Sequence, residues 1–172
     1  YRALKKYKKY TDFEFELLHT TEVVAELIDK GLLEFKKDFK KKGLPVIYHD
    51  FCELGRISEY EGRGIFDAPR DILKAVPGID EVLEFDTNRM DSQCCGGGGG
   101  LKAVNYDLTT VIAGNRLNEA IEKGATTVVS ACPNCKVQFG TAIDAKKDEM
   151  KKKGEKFKMS SVDVLDIVAK SI

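Results

Sequence analysis

An α/β fold with a mainly parallel sheet and helices on both faces is predicted by three features of this 172-residue chain. Short apolar runs alternate with helical patterns of about 10–18 residues, as in βαβ units. Hydrophobic residues make up 42% of the chain, enough for one sizeable core. The cysteines fall in loops just beyond the predicted strands, so the cysteine-bearing loops gather at the carboxyl ends of the sheet, where parallel α/β sheets bind ligands.

The elements follow in order. Between Phe13 and Leu33, apolar side chains at Val23, Val24, Leu27, Ile28 and Leu32 recur every three to four residues, which predicts an amphipathic helix ending near Gly31. Phe35 to Lys42 is Lys-rich and reads as a solvated helix end or loop. Leu44 to His49 is a buried strand, followed by a polar, Gly-rich loop. Pro69 to Val76 is a short helix, Val82 to Phe85 a second strand, and Asn105 to Lys123 a long helix stopped by Gly124. Thr126 to Ser130 is a β-branched strand, Lys136 to Lys153 a helix, Phe157 to Met159 a last strand and Ser161 to Lys170 a last helix. The punctuation divides the chain into a helical lead, residues 1–44, packed on a domain of residues 45–172.

Charge narrows the function. Lys+Arg and Asp+Glu are 28 each, so nothing recommends nucleic acid or an anionic membrane as partner. No apolar run reaches the roughly 18 residues of a membrane span. The expected compartment is cytoplasmic, at most peripheral to a membrane through a partner subunit. The chain opens Tyr1-Arg2-Ala3-Leu4 without an initiator Met or a secretory pattern, which is expected of a piece cut from something longer. Five cysteines in such a context argue for metal or redox chemistry rather than a disulfide framework.

The cysteines are Cys52, the pair Cys94 and Cys95, and Cys132 and Cys135. Thiolates select zinc, copper(I) or iron-sulfur clusters. A tetrahedral zinc uses two adjacent cysteines poorly, whereas a cluster offers the doublet separate irons and gives a fifth thiolate a place. Spacing therefore puts an iron-sulfur cluster first, with zinc and a metal-free dithiol or disulfide system as alternatives. Cys132-Pro133-Asn134-Cys135 at a helix start would also suit a thioredoxin-like dithiol, and five buried, inert thiols are the plainest reading. Gly96 to Gly100 lack the ending of a phosphate-binding loop. Residues without Cβ let the backbone approach a bulky cofactor and aim N–H groups at its sulfur atoms, so Gly96, Gly97 and Gly98 are candidate cofactor contacts. His49 is a further one, three residues before Cys52; it and Asp50 either support the centre and its protons or merely end the strand. Arg56 meets an anionic substrate or caps a loop, and His19 is given no role.

At these residues the sequence resembles the cysteine-rich domain family with the CCG signature. The resemblance runs from Tyr48-His49-Asp50-Phe51-Cys52-Glu53-Leu54-Gly55-Arg56 through Ala68-Pro69-Arg70, Val76-Pro77-Gly78, Cys94-Cys95-Gly96-Gly97-Gly98-Gly99-Gly100, Arg116, Gly124-Ala125 and Cys132-Pro133-Asn134-Cys135. Phe51 stands where the family usually has Pro, and the interval from Cys52 to the doublet is slightly long. The family occurs in heterodisulfide reductases and in iron-sulfur subunits of glycolate and lactate oxidases, with two such domains in tandem. The resemblance implies that this chain is the second copy of a larger subunit, most similar to the D-type subunits of heterodisulfide reductases. It further implies an unusual 4Fe-4S cluster, cubane or not, on all five cysteines, where the disulfide of coenzyme M and coenzyme B is reduced in one-electron steps. A haem- or flavin-bearing redox subunit and a small thiol or disulfide are then the expected partners, and the isolated piece is expected to be inactive. An electron relay of the glycolate or lactate oxidase type, and a zinc-stabilised structural domain, are the other functions weighed.

Overall fold

The structure is a computed structural model and describes residues 1–11, 14–40 and 44–172. In chain order its elements are α1 (Arg2–Tyr7), α2 (Thr20–Asp29), β1 (Val46–Tyr48), α3 (Arg56–Tyr60), α4 (Asp67–Ala75), β2 (Val82–Glu84), α5 (Leu101–Val104), α6 (Tyr106–Glu122), β3 (Thr127–Ser130), α7 (Pro133–Lys152), β4 (Ser160–Asp163) and α8 (Val164–Ser171), with short 3-10 turns at Lys8–Tyr10 and Arg89–Asp91. The sheet order is β2-β1-β3-β4 and every pairing is parallel, as expected from the alternation of elements. The chain leaves β1 to one side for β2 and to the other for β3. The crevice at their carboxyl ends is therefore a topological switch point, the place where such sheets bind ligands.

Strand alternation sorts the core into two faces. Val46, Tyr48, Val129 and Ala131 pack with Val24 of α2, Ile72 and Leu73 of α4, and Val164, Ile167 and Val168 of α8. Ile47 and Val128 pack on the other face with Ala113, Leu117 and Ala120 of α6 and with Cys135, Phe139, Ala142 and Ile143 of α7. Ile72 and Leu73 are wholly buried, and each contributes roughly 1.5–3 kcal/mol by burial. Among the described residues no helix is long and apolar enough to cross a membrane.

The boundaries shift in informative ways. The last strand lies at Ser160–Asp163 rather than Phe157 to Met159, and the last helix begins at Val164 rather than Ser161. Ser161 and Val162 are taken up in pairing with Val128 and Val129. Asp163 then caps α8: its carboxylate accepts from Leu165 N while its own N–H donates to Asp166. α7 starts at Pro133 rather than Lys136, because Pro suits the first helical position, and this puts Cys135 in the first turn. His19 caps α2, accepting at Nδ1 from Thr21 N. Phe13 of the predicted front helix and Lys41 and Lys42 of the Lys-rich stretch lie outside the described residues; the described part of that stretch is a loop whose Lys36 and Lys37 N–H groups donate to the Ser171 carbonyl.

One buried ion pair ties the loops together. Arg70 of α4 donates through both terminal nitrogens to the two carboxylate oxygens of Asp50, each at 2.7 Å, and both side chains are 3% exposed. Nε of Arg70 donates to Glu84 at the end of β2 at 2.6 Å, and its guanidinium lies over the Tyr48 ring. Asp50 also accepts Arg89 N at 2.7 Å, and its carbonyl accepts the Ser92 hydroxyl at 2.8 Å. Arg56 donates to the Ser92 carbonyl at 2.9 Å. Asp50 and Arg56, undecided from sequence, thus fix the loop that carries the doublet. Burial opposes the Arg70 charge, but the bonds to Asp50 and Glu84 prevail and raise its pKa. Arg70→Met would leave a buried carboxylate without its counter-charge, which typically costs about 3–5 kcal/mol. Urea unfolding should show that loss, and a loss under about 1 kcal/mol would show that the pair is not the anchor.

Candidate metal centre

Three loops bring five thiols to the switch point. Cys52 follows β1, the doublet ends the long loop after β2, and Cys132 and Cys135 bracket the start of α7. Each thiol shifts the acidity of the next in the order Cys52, Cys94, Cys95, Cys135 and Cys132. Cys95 Sγ and Cys135 Sγ are 3.2 Å apart and both residues are buried. Cys52 and Cys132 are half-buried and Cys94 is exposed, so the group is open to solvent on one side.

The glycines divide by position. Gly96 N donates to Cys94 Sγ at 3.3 Å and Gly97 N to Cys95 Sγ at 3.5 Å. Gly96 has a φ of +82°, and a Cβ there would stand 3.1 Å from Ile112 and from the Thr109 carbonyl. A Cβ on Gly97 would stand 3.0 Å from Gln138 Cβ, and Asn134 Nδ2 clamps the Gly97 carbonyl at 3.0 Å. Gly98 is exposed, its carbonyl accepts Leu101 N, and a Cβ there would meet nothing.

His49 lies under the thiols. A ring nitrogen of His49 and the sulfurs of Cys95 and Cys135 are all within 4.8 Å of one another. The ring is clasped edge-on by Phe139 at 4.9 Å and Phe85 at 6.1 Å between centroids. Burial, then the nearby Arg116 charge, lowers its pKa to about 4, so it is neutral near pH 7. Its Nδ1 is buried and has no hydrogen-bond partner among the described residues. Arg116, which the sequence left without a role, stacks on Phe85 at 3.8 Å and donates to Thr87 and Glu119. A buried cation within an apolar helix stripe was the signal available for both Arg70 and Arg116.

The thiols alternate in acidity. The Cys52 and Cys95 thiols, helped by Gly96 N–H, hold Cys94 well below an ordinary thiol. The Cys135 thiol and the N–H groups of Cys135 and Asn134 hold Cys132 down to about 6 against burial, as befits the N-cap of a helix. Cys135 pulls Cys95 down, but the Cys94 contact and burial outweigh it and leave Cys95 at about 11. The neighbouring thiols and burial push Cys52 and Cys135 well above the ordinary value. Two thiolates beside three thiols form a soft donor set. Five sulfurs, inward N–H groups and an orphaned buried nitrogen fit a polynuclear metal-sulfur group better than one ion.

A family model for the cysteine-rich domain, CCG, matches residues 46–140, more than half of the chain. The chain belongs to the cysteine-rich domain family. This CCG chain is 35% identical over 139 residues to the D-type component of the dihydromethanophenazine:CoB–CoM heterodisulfide reductase of Methanosarcina barkeri, covering 81% of this chain and 32% of that protein. It is 33% identical over 166 residues to the probable iron-sulfur-binding oxidoreductase FadF of Bacillus subtilis, covering 95% and 21%. It is 31% identical over 156 residues to the EtfAB:quinone oxidoreductase of Syntrophomonas wolfei, covering 87% and 20%. The chain thus spans a third or less of these relatives.

Two outcomes are expected of the CCG loop. Gly96→Ala should cost about 2–3 kcal/mol, from left-handed strain plus overpacking, while Gly98→Ala stays within about 0.5 kcal/mol of the parent; thermal melts of the two check this. In the reduced, metal-free chain, iodoacetamide at pH 6–7 should label Cys94 and Cys132 first and Cys52, Cys95 and Cys135 last, because the thiolate is the nucleophile. Peptide mass spectrometry reads the order, and uniform labelling would contradict the acidities given.

Proposed function

We propose that the chain is an iron-sulfur domain of an oxidoreductase, its five cysteines binding one cluster of 4Fe-4S type. The observation that carries the reading is the contact of Cys95 with Cys135 beside the His49 ring, with the Gly96 and Gly97 N–H groups donating to the Cys94 and Cys95 sulfurs. The named activities of the relatives are all redox. When bound, the cluster would supply one-electron chemistry and a thiophilic iron.

The finer reading is reduction of a small disulfide such as that of coenzyme M and coenzyme B, within a larger two-copy subunit that receives electrons from a haem- or flavin-bearing partner. Residues 1–44 would be its helical lead and residues 45–172 its second cysteine-rich domain, on the cytoplasmic side. This chain's residues would do the rest. Cys94 and its open side would admit the substrate, Cys95 and Cys135 would keep the inner side dry, and His49 would hold its neutral ring against the buried thiols.

One observation favours electron relay as a second reading. The cavity beside Cys132, about 340 Å³ and walled by Ala131, Pro133 and Lys136, contains no thiol. Its Lys136 is paired with Asp166 at 2.6 Å, so it offers no spare positive charge to a sulfonate or phosphate. Anaerobic purification followed by iron and acid-labile sulfide analysis tests the domain's chemistry. About four of each per chain are expected, and one zinc without sulfide would overturn the reading in favour of a structural domain. A paramagnetic signal that appears on oxidation only with a thiol present would support disulfide chemistry; a loaded chain indifferent to thiols would leave relay.

A further inference from the structure

Ser130 ends β3 with a wholly buried hydroxyl that has no hydrogen-bond partner among the described residues. Strand alternation places it on the face of Val128, the face that also carries Cys95, Cys132 and Cys135. Tyr48 is paired with Val129, so His49 and Ser130 are the next residues along adjoining strands and share this face. Two residues with an orphaned buried polar atom, His49 and Ser130, therefore occupy adjoining positions at the carboxyl end of the sheet, and a ring nitrogen of His49 lies within 4.8 Å of the Cys95 and Cys135 sulfurs. A third, Gln138 Oε1, lies one turn beyond Cys135 on α7.

Native interiors rarely leave such groups unmatched, because each loses its bonds to water on folding. The three differ in what they can give. Gln138 is fixed by its Nε2 bond to the Thr109 carbonyl at 2.9 Å and presents an acceptor, which sulfur cannot satisfy. A neutral imidazole has a single N–H. Only the hydroxyl carries a donor that rotates freely toward a sulfur.

We propose that the Ser130 hydroxyl donates a hydrogen bond to a sulfur atom of the centre held by the five cysteines and thereby sets its reduction potential. The inference rests on the iron-sulfur reading. A donor to sulfur stabilises the more negative, reduced form, so it raises the potential. The residue changes no bond during turnover; it tunes the group that does.

The test compares the wild-type chain with Ser130→Ala, Ser130→Thr and Ser130→Val, each purified anaerobically, assayed for iron and sulfide and titrated potentiometrically. Thr and Val have the same shape and differ in the hydroxyl alone, so any overpacking cancels between them. The expected result is a wild-type-like potential for Thr and a shift to more negative potential for Ala and Val at equal iron content. A cluster retained by Thr and lost by both Ala and Val would also support the hydroxyl's role. Equal potentials in Thr and Val, or loss of the cluster in all three variants while the wild type is loaded, would overturn the assignment to Ser130 alone. A wild-type chain without iron and sulfide would overturn the underlying reading.

Discussion

The two-pronged bond between Arg70 and Asp50 is the constraint on which the geometry of the centre depends. It buries both charges, and buried charges are tolerated only when their remaining valences are filled. They are filled by Glu84 and Phe66 O on Arg70 and by Arg89 N on Asp50, whose backbone carbonyl also accepts the Ser92 hydroxyl. Asp50 stands two residues before Cys52 and Ser92 two before Cys94. Asp50 at the end of β1, through its carboxylate to Arg89 N and its carbonyl to the Ser92 hydroxyl, therefore holds two of the three cysteine loops in mutual register. Arg89, at a φ of +51°, is the strained residue of that loop, and its N–H is held by the same carboxylate.

The two faces of the sheet divide the labour. On the side of α2, α4 and α8, charge and packing fix the loops; on the side of α6 and α7, Cys95 and Cys135 lie within 4.8 Å of a ring nitrogen of His49. The Cys135 thiol and the helical start lower Cys132, the Cys52 and Cys95 thiols with the Gly96 N–H lower Cys94, and neighbouring thiols with burial raise Cys95 and Cys135. The result is a soft, partly ionised donor set at a switch point, shielded below and open beside Cys94.

Much of this is legible in the sequence, for identifiable reasons. The apolar runs at Val46 to Tyr48 and Thr127 to Ser130 suit only buried strands, and cysteines directly after them have to share an edge. The end of the chain misleads because Ser161 can cap a helix as well as Asp163 can; sheet pairing with Val128 and Val129, invisible locally, decides for Asp163. The roles of Asp50, Arg56, Arg70 and Arg116 are out of reach because each depends on at least one partner 14 to 42 positions away in sequence. Gly96, Gly97 and Gly98 look alike as letters, and only the packing of α6 and α7 against the first two distinguishes them. His19, Ser130 and Gln138 carry no motif at all.

The central claim, that five thiols from three loops hold one polynuclear iron-sulfur centre, is tested most directly by X-ray absorption on the anaerobically prepared chain. The expected result is an iron edge with a first shell of sulfur and a second shell of iron at short range. A zinc edge with a single four-atom shell of sulfur or nitrogen, and no iron-iron scattering, would contradict it.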